Sequence, residues 1–197
     1  MKKILFTIAM VAVGFTATAQ ENAKGGFEKQ DWYVSGTAGY NNISVEGIDS
    51  DVSSFTFSPS VGYFVSDNIA LEMGLILGES TTEFFGDTIE ASQFGVTLAG
   101  NYFFTPQSDF SFVVGAGLSY ISTGNEINGN EQPDSSTFAI AVAPGVNYFI
   151  SERLALRALV GALSYSSTSA DGSSSSTNTF GLNLNLSDVN FGLTYKF

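Results

Sequence analysis

The sequence contains no cysteine and no histidine, and charged residues occupy only 13% of its 197 positions, about half the usual share for a soluble domain. Without cysteine there is no disulfide framework, thiolate metal site or cysteine nucleophile. Without histidine there is no Ser-His-Asp triad, no imidazole ligand and no side chain that ordinarily titrates near neutrality. Basic residues are scarce, 7 Lys+Arg against 19 Asp+Glu for a net charge of −12. That balance excludes a nucleic-acid binder, which needs a basic footprint. No apolar run approaches the roughly 20 residues of a spanning helix. No catalytic, cofactor or metal residues are expected. What is plentiful is glycine (21) and phenylalanine (18).

Lys2 and Lys3 precede an apolar run from Ile4 to Phe15, and Ala17-Thr18-Ala19 follows. A basic end, a short apolar stretch and a small-x-small site form the pattern of a secretory signal. The expected organisation is a signal peptide over 1–19, a short N-terminal segment over 20–30 and one domain over 31–197. Cleavage leaves Lys24, Lys29, Arg153, Arg157 and Lys196 against all 19 acids. An exported chain without a long apolar helix enters a membrane only as a closed β-barrel.

From residue 31 onward the sequence alternates with period two, as strands do. Trp32, Val34, Ala38 and Tyr40 fall on one face and Tyr33, Ser35, Thr37 and Gly39 on the other. The same pattern sets Leu71, Met73, Leu75 and Leu77 against Ala70, Glu72, Gly74 and Gly78, and Phe110, Phe112, Val114 and Leu118 against Ser111, Gly115 and Gly117. Short connections near 66–68, 105–109 and 151–153 alternate with longer polar ones near 42–53, 79–91, 122–136 and 166–178. Asn128-Gly129 and Asp171-Gly172 are favourable hairpin turns. Tyr63-Phe64-Val65, Tyr102-Phe103-Phe104 and Tyr148-Phe149-Ile150 each precede a short turn, and Tyr195-Lys196-Phe197 ends the chain. A hairpin of about 40 residues therefore repeats, giving an all-β, eight-stranded antiparallel transmembrane barrel with short periplasmic turns and longer extracellular loops.

The face opposite the bulky residues is made of Gly, Ala, Ser, Thr and Asn, and its charges within the strands are Glu72, Arg157 and Lys196. In water, such a surface is poorly protected against edge-to-edge aggregation. In the lumen of a narrow barrel, small residues are what fits. The bulky face is therefore expected to meet lipid, with Trp32, Tyr63, Tyr102, Tyr148 and Tyr195 as an aromatic girdle. Phe64, Phe103 and Phe149 have lumen parity and are expected to constrict the short-turn end. Glu72 and Arg157 stand at equivalent depths on opposite strands and are expected to form a lumen ion pair, with Asn101, Asn147 and Lys196 as competing partners. One region breaks the alternation. Phe180 to Leu186 has even parity and Val189 to Phe197 odd, so either a β-bulge at Ser187-Asp188, the preferred reading, or a tight turn with an extra strand pair is required.

The segments GYFVSDNIALEMG (62–74), VNYFISERLALRALVG (146–161) and SDVNFGLTYKF (187–197) carry a resemblance to the small outer-membrane β-barrels of the OmpA/OmpX/OmpW type. The resemblance covers about residues 30 to 197. It implies an integral, monomeric outer-membrane protein of a Gram-negative bacterium, in contact with outer-membrane lipid and lipopolysaccharide. It also implies recognition by the barrel-assembly machinery through the strand ending in Phe197. Glu72 in ALEMG falls where such a barrel has a lumen glutamate. No peptidoglycan-binding domain follows the barrel pattern, so a wall-anchoring role is not implied.

One barrel hosts many functions. An enzyme is not expected, because the acid pairs Glu79/Glu83 and Glu126/Glu131 lack a partner base. A wide pore is not expected of a narrow, side-chain-filled lumen. From Ile69 to Phe85 the chain spans roughly 55 Å at about 3.3 Å per residue, longer than an apolar band about 25 Å tall requires at a 40° tilt. The acidic hairpins should therefore project outward, keeping themselves soluble and offering a surface to an extracellular protein partner. The alternative is a narrow channel, or an OmpW-like transporter of small apolar solutes.

Overall fold

The computed structural model describes residues 25–45, 50–173, 175–183 and 189–197; the expected signal peptide lies outside them. Ten strand segments follow in order: β1 (Trp32–Val45), β2 (Ser50–Phe64), β3 (Ile69–Phe84), β4 (Asp87–Phe103), β5 (Phe110–Ile127), β6 (Asn130–Phe149), β7 (Leu154–Val160), β8 (Ala162–Ala170), β9 (Ser176–Asn183) and β10 (Val189–Lys196). Each of β1 to β6 is one wall strand. β7 and β8 run end to end as the seventh, and β9 and β10 follow the same neighbour as the eighth. Every pairing is antiparallel, and β10 closes the ring against β1 from Tyr33↔Lys196 to Thr37↔Gly192.

The period-two pattern makes this wall because it gives each strand two unlike faces. Leu71, Met73, Leu75 and Leu77 are exposed on the outside, while Ala70, Gly74 and Gly78, of the opposite parity, are buried. The outer face is apolar around the barrel, from Trp32 and Val34 to Leu156 and Leu193. In a membrane it meets lipid, so its exposure carries no hydrophobic penalty.

The segments read as polar loops are mostly strand. β3 and β4 pair out to Phe84↔Asp87, leaving Phe85-Gly86 as the turn, and β5 and β6 pair out to Ile127↔Asn130, leaving Asn128-Gly129. Both turns carry two positive φ angles, 50° and 88° in the first and 52° and 73° in the second, the conformation whose twist matches paired strands. Neighbouring hairpins also interlock. The Thr88 N–H donates to Asn128 Oδ1 (2.8 Å), and Asn128 Nδ2 donates to Asp87 Oδ1 (2.9 Å).

The face reversal is shared by the last two wall strands. Leu156 is exposed and Arg157 buried in β7, but Leu163 and Tyr165 are the exposed large apolar residues of β8. The switch is at Gly161, with φ of 66°. Opposite it, Val142↔Leu163 and Gly145↔Leu159 leave Ala143 and Pro144 facing Val160, Gly161 and Ala162, one extra residue and hence a β-bulge. Proline supplies no N–H to a ladder, and Pro144 lies beside the interruption. Because β8 reverses, β9 must also reverse for Leu163↔Leu182 and Tyr165↔Phe180 to present apolar side chains on one face. The switch expected at Ser187-Asp188 lies outside the described residues. Beyond Thr37↔Gly192, the rest of β1 has no ladder with β9 among the described residues.

Candidate functional site

Glu72 on β3 faces Gly62 and Ala99 on its neighbours, and Arg157 on β7 faces Asn147 and Gly192. The flanking residues are small or neutral, so both long side chains extend into the bore. Arg157 Nη1 lies 2.7 Å from Glu72 Oε2. The same carboxylate oxygen accepts from Tyr33 OH at 2.6 Å and Asn101 Nδ2 at 3.0 Å, and Oε1 accepts from Ser60 Oγ at 2.7 Å. Glu72 thus binds both Arg157 and Asn101. A buried carboxylate is tolerated when its lone pairs are met in this way. Arg157 is less well served: its Nε and Nη2 are buried with no protein acceptor. Its guanidinium lies 5.1 Å from the Tyr33 ring centre and 5.4 Å from that of Phe103, within reach of a cation–π attraction.

Below this knot, Phe64, Phe103 and Phe149 turn inward at 0%, 0% and 4% exposure. They do not meet as a bare constriction. Phe27, from the segment before β1, fills the space among them and is itself 0% exposed. Its ring centre is 4.7 Å from Phe64, 5.5 Å from Phe103, 4.9 Å from Phe149 and 5.3 Å from Tyr33. Burying such rings contributes about 1.5–3 kcal/mol each. Sequence reasoning missed Phe27, because nothing periodic surrounds it, and also missed Tyr33 as a donor to Glu72. Lys196 is at the rim, donating to Gly26 O at 2.6 Å and 3.6 Å from Asp31.

Trp32, Tyr102 and Tyr148 are about half exposed outside the short-turn end, and Trp32 packs on Tyr63 at 4.8 Å. Tyr195 closes the band beside Val34. Toward the hairpin end a second aromatic belt appears, with Tyr40 opposite Phe55, Tyr120 opposite Phe138 and Tyr165 opposite Phe180. Two such belts are what flank the lipid-facing band of an outer-membrane barrel.

Above the knot the bore holds a small cavity of about 150 Å³ lined by Ser35, Thr37, Ser58, Thr97, Glu72 and Arg157 among others. Beyond the band, Glu90 stands opposite Glu126 and Glu126 opposite Glu131. A concavity of about 520 Å³ there is lined by Glu79, Glu90, Glu126, Glu131 and Asp134 among polar neighbours. Among the described residues, no group of three or more acids is placed to hold a metal ion.

Solved structures share this architecture. The outer membrane protein OprG from Pseudomonas aeruginosa matches with a TM-score of 0.55 at 16% identity, over 87% of this chain and 98% of that one. The N-terminal β-barrel domain of Pseudomonas aeruginosa OprF matches with a TM-score of 0.52 at 16% identity, over 86% and 100%. Ail, the attachment invasion locus protein of Yersinia pestis, matches with a TM-score of 0.50 at 12% identity, over 86% and 99%. At these identities the likeness is one of fold. None of the curated protein sequences matches this one. The family model described as the outer membrane protein beta-barrel domain matches residues 6–197, nearly the whole chain, and the protein belongs to that family.

Proposed function

We propose that the protein is a closed outer-membrane barrel with a structural and surface-interaction role, its acidic hairpins being the part that meets the exterior. The observation that carries this reading is the filled bore. An aromatic layer around Phe27 and a polar layer around Glu72 and Arg157 succeed one another along the axis, leaving no open path for solute at that end. The β3–β4 and β5–β6 hairpins, by contrast, hold their ladders to the tips and lock to one another through Asn128. A preordered surface of this kind loses little entropy when a partner binds. Solvation of the hairpins by their own acids accounts for the charge, and a partner would have to compensate for its desolvation.

A second reading, passage of small apolar solutes, is favoured by one feature. The wall between the outer part of β1 and β9 has no ladder among the described residues, and the cavity above the knot is lined by Ser35, Gly36, Thr37 and Gly192, where the β1–β10 ladder ends. Single-channel recording in a planar bilayer separates either transport reading from the closed barrel only for ions. The assay is therefore paired with uptake of a small apolar dye by barrel-loaded vesicles. Electrical silence with no dye uptake is the expected result. A steady, large open current, or dye uptake that exceeds empty vesicles, would replace the structural reading with a transport one.

A further inference from the structure

We propose that residues 25–29 are a tethered plug, and that Tyr33, Phe64, Phe103 and Phe149 form the socket that receives its Phe27 side chain. The segment belongs to no strand, so none of the wall's ladders depends on it. It is nevertheless seated by a specific set of contacts. The Phe27 N–H donates to Pro106 O at 2.7 Å, the Gly25 N–H donates to Asp109 Oδ1 at 2.6 Å, and Lys196 Nζ donates to Gly26 O at 2.6 Å. One clamp comes from the turn between β4 and β5 and the other from the last strand, and the two lie on different parts of the rim.

The two glycines are what lets the backbone through. A Cβ on Gly26 would lie 2.8 Å from the backbone carbonyl carbon of Gln107, and one on Gly25 would lie 2.3 Å from Phe149 Cβ. Backbone cannot yield as a side-chain tip can, so any larger residue at position 26 is incompatible with the seated path. The exit from the socket is equally defined. Gln30 takes φ of 76°, a left-handed conformation that an ordinary residue adopts only at a cost. Its N–H donates to Phe64 O at 2.9 Å, while the Glu28 N–H donates to Asp31 Oδ2 at 2.8 Å. This tight turn reverses the chain from the plug into β1 and is the hinge. A non-glycine residue held in a sparsely populated conformation next to a buried aromatic anchor is the arrangement expected where surrounding contacts impose the geometry.

With Phe27 seated, water from the short-turn side is excluded from the aromatic layer and from Arg157 above it. With the plug withdrawn, Ala155, now 0% exposed among the same buried cluster, becomes reachable. This inference concerns access from one end only and does not depend on whether the barrel conducts, so it stands or falls apart from the proposed function.

The experiment places a cysteine at Ala155 in the full, folded chain, which has no other thiol, and follows its reaction with a water-soluble maleimide. Gly26→Val and Phe27→Ala are added separately, and the difference in gel migration between boiled and unboiled samples reports that the barrel is folded. The single-cysteine protein should react slowly. Both added changes should raise the rate at least about tenfold, as expected when a locally closed state opens, with the folded migration kept. Unchanged protection in folded Gly26→Val and Phe27→Ala barrels would overturn the plug. So would failure of both variants to fold in lipid, which would make the segment an inseparable part of the wall.

Discussion

Glu72 and Arg157 illustrate how unequal the two halves of one ion pair are. Glu72 keeps donors from Tyr33, Ser60 and Asn101 when Arg157 is removed. Arg157 Nε and Nη2 have no acceptor, and Glu72 is the anionic partner that its guanidinium has among the described residues. Breaking a buried pair typically costs about 3–5 kcal/mol because a charge is left uncompensated. Glu72→Gln should therefore fall in that range, while Arg157→Met should cost less, about 1–3 kcal/mol. Denaturant refolding titrations in lipid vesicles measure both. The double variant should show a coupling well above the roughly 0.5 kcal/mol scatter of independent sites; additivity would mean that the two charges do not support one another. Phe85 offers the opposite sign. It is 70% exposed and left-handed at φ of 50°, where asparagine is better tolerated. Phe85→Asn should stabilise the protein by about 1 kcal/mol in the same titration.

The strands were legible because period two survives in the sequence wherever one face meets lipid and the other a narrow lumen. Leu71 to Leu77 against Ala70 to Gly78 needs no further information. The reversal in β9 was visible as a change of parity, and its counterpart in β7–β8 was written in the same way, in Leu156 followed by Leu163 and Tyr165. There the glycine and alanines around Gly161 blur both faces, so the signal is weak until the pairing with β9 is known. Phe27 left no signal at all: KGGFEKQ has no period, and its partners lie on strands across the chain. The Glu72–Arg157 spacing was readable from the hairpin repeat, whereas the parity of Tyr33 put it on the small-residue face without marking it as a donor to Glu72 on another strand. Two predictions belong to the elements. Leu75→Arg on the lipid face should cost about 2–4 kcal/mol if Leu75 lies near the midplane, whereas Phe84→Arg at a hairpin tip should cost less than about 1 kcal/mol; equal effects on refolding stability would contradict the face assignment. Gly161→Val should cost at least about 1–2 kcal/mol, from the left-handed backbone it forces on a branched side chain.

The whole molecule is polarised along its axis. One end is short turns, aromatic packing and the charged knot; the other is long hairpins carrying Glu79, Glu83, Asp87, Glu90, Glu126, Glu131, Asp134 and Asp171. Cysteines placed at Gly129 and Gly172 should be labelled by an impermeant reagent on intact cells, and one at Asp67 should not. Labelling confined to Asp67 would invert the orientation. The ring closure also dictates an order of events. Ser35 donates to Leu193 O across 158 positions of sequence, and Tyr33 to Thr37 pair with the final strand. Among the described residues β10 supplies that edge, so closure there waits for the last strand to arrive. Long-range β pairing is intrinsically slow because loop closure must come first. The Lys196 clamp on Gly26 cannot exist before that moment. Assembly thus keeps the vessel open on its side until the final strand is delivered, and only then is there a socket complete enough for Phe27 to enter.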